Sequence, residues 1–195
     1  MKSYHIVNPN ADQSRRILEA FPRAVELEPD LQSAFVTAWA SVLASSTYGQ
    51  ITDVPFSHGS QDSLVDHTND VTEAGLAILS VAESRWGWTV NRQHLLGILL
   101  LHDLDKPLLM ERREEGDVET PVSARIPHGV LGALLLVELG VDEAIVGAVA
   151  THATHAPLRG PDPEVMILHY ADLFAADGAM SKTERRPFFR RCHGH

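Results

Sequence analysis

Apolar positions in this chain recur three and four residues apart far more often than they alternate, so the chain reads as helical. The stretch "DQSRRILEAF" predicts a short first helix. "PDLQSAFVTAWASVLASS" predicts a second, opened by Pro29 and carrying Phe35, Trp39, Val42 and Leu43 at helical spacing. Residues 49–61, "GQITDVPFSHGSQ", combine Gly, Pro and Ser and read as a loop. "DSLVDHTNDVTEAGLAILSVAESRWG" is a long core helix in which Leu64, His67, Val71, Leu76 and Leu79 share one side, while Asp66, Asp70 and Glu73 fit a solvated face.

Asn91 is a suitable N-cap for "RQHLLGILLLHDLDK", and Pro107 is expected to end that helix. The charged run "ERREEGDVETP" reads as a solvated loop or hairpin. Three further helices follow: "ARIPHGVLGALLLVELG" up to Gly140, "DEAIVGAVATHATH" from Asp142 to just before Pro157, and "PEVMILHYADLFAADGAM" from Pro163. In the tail, Phe188 and Phe189 are expected to pack back on the body. No repeat or low-complexity segment interrupts the pattern. The expected fold is all-α, a single-domain bundle of six to eight helices, with an N-terminal helical extension over 1–55, a helical domain over 56–181 and a tail over 182–195.

Length and composition narrow the function. The 195 residues suit one domain, and 44% hydrophobic with 22% charged residues is ordinary for a globular protein. A net charge of -10 argues against a nucleic-acid backbone or an anionic membrane as the main partner. It leaves a small anionic substrate open, because a local cation or metal overrides the global sign. The apolar runs "LLGILLL" and "VLGALLLVELG" fall short of the roughly 20 residues that span a bilayer. With a single cysteine, Cys192, and no signal-like apolar start, these features lead to the expectation of a cytoplasmic protein without disulfides. Trp39, Trp86 and Trp88 suit an interface between copies as readily as a core, so a homo-oligomer is left open.

Candidate chemistry lies in the histidines, of which there are 11. In "GILLLHDLDKP" an apolar helix ends in charge, which is costly in a buried position unless compensated. Five places set a metal-capable side chain on or beside an apolar helix face, each on a different predicted helix. They are His67, His102 with Asp103, His128, His152 and Asp172. Imidazole and carboxylate are ligands of borderline divalent metals, and a bundle builds such a site from facing helices. A His-Asp pair arises about once by chance at this composition, so the weight rests on order and helical setting. His152 and His155 compete, being three apart on one helix face. His169, one turn before Asp172, reads as a packed histidine.

The order His67, His102-Asp103, Asp172 resembles the HD-domain superfamily of metal-dependent phosphohydrolases. "HDLDKP" is similar to that family's frequent His-Asp-x-Gly-Lys stretch, with Asp105 in place of the glycine. The resemblance covers roughly residues 60–180. It implies one metal held by His67, His102, Asp103 and Asp172. In the manner of two-metal members, His128 and His152 would hold a second, with Asp103 bridging. The implied cofactor is one or two divalent transition-metal ions, iron, manganese or another first-row ion. The resemblance favours His152 over His155 as ligand and leaves His155 to line the pocket. It makes Asp103 and Lys106 the catalytic residues, with Lys106 and His155 as contacts for an anionic substrate; Arg125, three residues before His128, is a weaker candidate for the same contact.

The implied activity is hydrolysis of a small phosphoester or nucleotide by metal-activated water. Some superfamily members with the same ligand set are di-iron oxygenases. The phosphonate-cleaving ones carry Tyr-x-x-Glu before the first histidine, and "SHGSQDSLVD" has neither residue. A non-catalytic domain that senses a metal or ligand is the third reading. Degenerate members of that kind lose ligands, whereas this chain retains the set.

Overall fold

In the computed structural model, which describes residues 3–154, 156, 160–183 and 186–191, three helices come first: α1 (Ala11–Ala20), α2 (Pro29–Ala44) and α3 (Leu64–Trp86). They lead to α4 (Arg92–Leu101), a short α5 (Lys106–Leu109) and the strands β1 (Met110–Arg113) and β2 (Gly116–Glu119). Then follow α6 (Val130–Glu138), α7 (Glu143–Thr151), α8 (Pro163–Ser181) and α9 (Phe188–Arg191). Among the described residues the one sheet is this two-stranded hairpin, so the fold is all-α in class. Seven of its helices have nine or more residues, within the expected number.

A helix that is apolar on every side must be enclosed, and α4 is: all seven residues from Leu95 to Leu101 are buried. Helices α3, α7 and α8 pack against it, and α3 and α8 also pack along each other. Helix α2 closes the remaining side, touching α4, α5 and α6. Its Trp39 stacks on Phe21 at 4.9 Å, with Phe35 edge-on to Phe21 at 5.6 Å. These rings belong to the same core as the α4 leucines. Local sequence sets the helix starts. Asn10 and Gln13 form a capping box on α1, Ser63 caps α3, and Asn91 Oδ1 accepts from the backbone of Gln93 and His94. Buried Glu164 accepts from Asn91 N at 2.6 Å, tying the first turn of α8 to the head of α4.

Three boundaries differ from expectation. Helix α4 ends at Leu101 rather than at Lys106, and residues 102–105 form tight turns, with Leu104 N bonded to Leu101 O and Lys106 N to Asp103 O. Pro107 does not end α4; it lies in the first turn of α5, where its missing N–H costs nothing. Helix α6 begins at Val130 and not near Ala124, because residues 121–126 run as turns and Gly129 takes φ +91°, which no helix contains. Helix α7 stops at Thr151, with His152 as its C-cap. The charged run resolves as a hairpin, in register from Met110 opposite Glu119 to Arg113 opposite Gly116.

Phe188 packs with Phe56, Ala176 and Ala179, whereas Phe189 stays exposed, contrary to expectation. Trp39 is core and Trp86 is exposed. No helix among the described residues is long and apolar enough to cross a membrane.

Gly129 is fixed by geometry, since an added Cβ would lie 2.4 Å from the Val149 carbonyl oxygen at a φ that disfavours side chains. Gly129→Ala is expected to lower stability by about 1–3 kcal/mol or more. Urea unfolding measures it, and an unchanged midpoint would contradict this backbone.

Candidate metal centre

Because α4 is enclosed, whatever follows it in the chain is delivered into the interior. His102 is its C-cap and Asp103 the next residue, and both are buried. Around them stand His67 from α3, Asp172 from α8, His128 from the turn before α6 and His152 at the end of α7. Two groups of possible ligand atoms result, each with its atoms within 4.8 Å of one another: His67, His102 and Asp172, and Asp103, His128 and His152.

Asp103 joins the two groups with one oxygen each. Its Oδ1 lies 2.7 Å from His128 Nε2 and 3.5 Å from His152 Nε2. Its Oδ2 lies 3.4 Å from both His67 Nε2 and His102 Nε2, and 2.6 Å from Lys106 Nζ. Asp172 Oδ1 completes the first group, 3.2 Å from His67 Nε2 and 4.0 Å from His102 Nε2. Both His67 nitrogens and His102 Nε2 are buried without a hydrogen bond of normal geometry, whereas the facing Asp103 Oδ2 is met by the Lys106 ammonium. Buried polar atoms in natural proteins are nearly always satisfied, so such a cluster fits a cation that supplies the missing interaction. The donor set, imidazole nitrogen with carboxylate oxygen, suits a divalent first-row metal.

Not every candidate lies within a helix, as the hydrophobic pattern implied. His67 and Asp172 do; His102, Asp103, His128 and His152 stand at helix ends or in adjoining turns. Helix ends offer what a ligand histidine needs. The last carbonyls of a helix lack helical partners. His102 Nδ1 donates to Leu99 O at 2.9 Å and His152 Nδ1 to Val149 O at 2.8 Å, leaving each Nε2 lone pair aimed at the centre.

The electrostatics follow from burial and neighbours. Burial pushes His67 and His152 down, towards the neutral, ligating form. Burial also opposes charge on His102, but Asp103 outweighs it and raises the group. His128 is pushed up to about 9, because bonds to Asp103 and Asp105 overcome desolvation. Burial works against both carboxylates as well. Even so, Lys106 and His102 hold Asp103 well below the usual range, and His67 and His102 hold Asp172 at about 2.

Two participants carry no mark in the hydrophobic pattern. Phe56, from the loop before α3, stacks on the His67 ring at 3.8 Å and carries Lys106 Nζ over its face at 4.1 Å. Asp105 is buried and accepts from His128 Nδ1 at 2.8 Å. A cleft of about 280 Å³ opens beside Lys106 and His128, walled by Phe56, His58, Met110 and Ile126. Arg125 is exposed and does not line this cleft, so the structure does not bring it to the centre. His155 lies outside the described residues. His169 is half-buried against Tyr170 and belongs to neither ligand group.

The HD domain family model matches residues 65–177, and the chain belongs to that family. The match takes in all six residues of the two groups. The chain is also 32% identical over 116 residues to a dihydroneopterin 2',3'-cyclic phosphate phosphodiesterase of Methanocaldococcus jannaschii. That stretch covers 59% of this chain and 47% of the relative. No solved structure matches the chain.

Since His128 is pushed up to about 9, an ion that binds its Nε2 must displace a proton. Affinity at the Asp103, His128 and His152 group is therefore expected to fall about tenfold per unit as pH drops from 9 towards 6. Competition with a chelator across that range reads the slope. A flat profile, or the same slope in His128→Gln, would refute His128 as the proton-linked ligand.

Proposed function

We propose that the chain is a metal-dependent phosphohydrolase acting on a small phosphoester or nucleotide. In this reading His67, His102, Asp103 and Asp172 hold one ion, and His128, His152 and Asp103 hold a second. The observation that carries it is the division of Asp103, with one oxygen facing each group and Lys106 Nζ 2.6 Å from Oδ2. Membership of the HD domain family and likeness to a phosphodiesterase support a phosphoester as the bond attacked. A bound divalent ion supplies Lewis acidity to a phosphoryl oxygen and makes an attacking water more acidic.

Hydrolysis adds the oxygen of water to phosphorus and breaks the ester P–O bond, releasing an alcohol. The protein supplies position and charge. Asp103, fixed at the end of a buried helix, keeps the two groups in register. Lys106 stands at the mouth of the cleft with an ammonium that can turn from Asp103 to a non-bridging phosphoryl oxygen and offset the charge building there. Phe56 stacks on His67 and presents its ring face to the Lys106 ammonium, which helps to hold both groups in place. Lys106 would serve a phosphonate as well as a phosphoester, so the preference for hydrolysis over an oxygenase reaction rests on the likeness to a phosphodiesterase and on the missing Tyr-x-x-Glu before His67.

The test uses metal-loaded protein with bis(p-nitrophenyl) phosphate, p-nitrophenyl phosphate and a 2',3'-cyclic nucleotide. Asp103→Ala is expected to lose both metal and activity while keeping its helicity by circular dichroism. Lys106→Ala should keep its metal and lose about 100-fold or more in kcat/KM. A metal-loaded, fully active Asp103→Ala protein would overturn the reading, as would a wild type inert on every phosphoester while consuming oxygen with a phosphonate.

A further inference from the structure

Asp105 stands where the similar family stretch has glycine, and the position is wholly buried. A carboxylate there is tolerated only if its oxygens find donors. Oδ1 accepts from His128 Nδ1 at 2.8 Å, and Oδ2 from Gly129 N at 2.8 Å and, at longer range, Gly132 N at 3.4 Å. The two amides belong to the turn before α6 and to its first turn, where N–H groups lack helical acceptors. One oxygen of Asp105 is thus anchored to backbone, and the other is held against a histidine.

We infer that Asp105 is a positioning residue that turns His128 Nε2 towards the second ligand group; the inference rests on the metal-dependent, two-ion reading above. A neutral imidazole carries one proton, and the nitrogen that carries it cannot ligate. His102 and His152 keep theirs on Nδ1 through carbonyls at the ends of their own helices. His128 comes before its helix, where the free backbone groups are donors, so that solution is closed to it. Asp105 supplies the acceptor instead. With Nδ1 so engaged, Nε2 faces Asp103 Oδ1 at 2.7 Å and His152 Nε2 at 3.1 Å, inside the second ligand group. A glycine at position 105 would leave the ring without this constraint.

Asp105→Asn is the discriminating change because it keeps size and shape. An amide offers one acceptor and one donor end. Whichever way it turns, an N–H meets either His128 Nδ1 or the Gly129 amide. The experiment reconstitutes both proteins with zinc(II), counts ions by elemental analysis, and follows binding by calorimetry. Wild type is expected to hold two ions per chain. Asp105→Asn should hold one tightly and bind the other about 10- to 100-fold more weakly, with unchanged circular dichroism. Two ions at wild-type affinity in the variant would overturn the inference. A wild type holding one ion would overturn it along with the two-ion reading while leaving metal dependence intact, and a wild type holding none would overturn all of them. Should Asp105→Asn fail to fold, long-range ¹H–¹⁵N spectra of zinc-loaded wild type decide the matter. A protonated Nδ1 on His128 with Nε2 on zinc supports the assignment, and a protonated Nε2 overturns it.

Discussion

The buried carboxylate of Asp103 is the constraint from which the rest of the centre follows. It is 2% exposed at the end of a helix enclosed on all sides. Removing a carboxylate from water costs several kcal/mol unless other groups replace the solvent. Four segments around the end of α4 each contribute one. Helix α3 brings His67, the turn before α6 brings His128, α7 brings His152 and α5 brings Lys106. The bundle is arranged so that these contributions meet, and the arrangement of a small chemical site and the packing of α4 are one structural problem.

How the histidines are oriented shows an economy of backbone groups. Two of them use carbonyls that a helix C-terminus leaves unpaired, so the same feature ends the helix and selects the tautomer. His128 sits at the opposite end of a helix and takes a side-chain carboxylate in place of a carbonyl. In both cases the ring is held through the nitrogen that faces away from the centre.

Much of this was legible in the chain, and the limits have physical causes. Helix α3 was readable almost to its caps because Leu64, His67, Val71 and Leu79 fall on one face and Gly87 adopts the left-handed conformation that ends it. The six residues of the two groups stood out because each is a polar side chain on or near an apolar helical run. The end of α4 did not, because a local pattern favours continuing through "HDLDK" and only tertiary partners for Asp103 and Asp105 reward breaking the helix. The start of α6 was hidden for a related reason: the φ of Gly129 follows from its close approach to Val149, on another helix. Asp105 showed as a departure from a familiar stretch, but its partner lies far along the chain. Phe56 sits in a loop, where no periodicity marks which residue turns inward.

The pairing of α3 with α8 also has a kinetic meaning. His67 and Asp172, 3.2 Å apart in the folded chain, are separated by about a hundred residues of sequence, and closing a loop of that length carries a large entropic cost before any contact rewards it. The hairpin and the α6–α7 pair connect near neighbours and can form early. The first ligand group therefore exists only where α3 and α8 have paired, and its geometry reports that this long loop has closed.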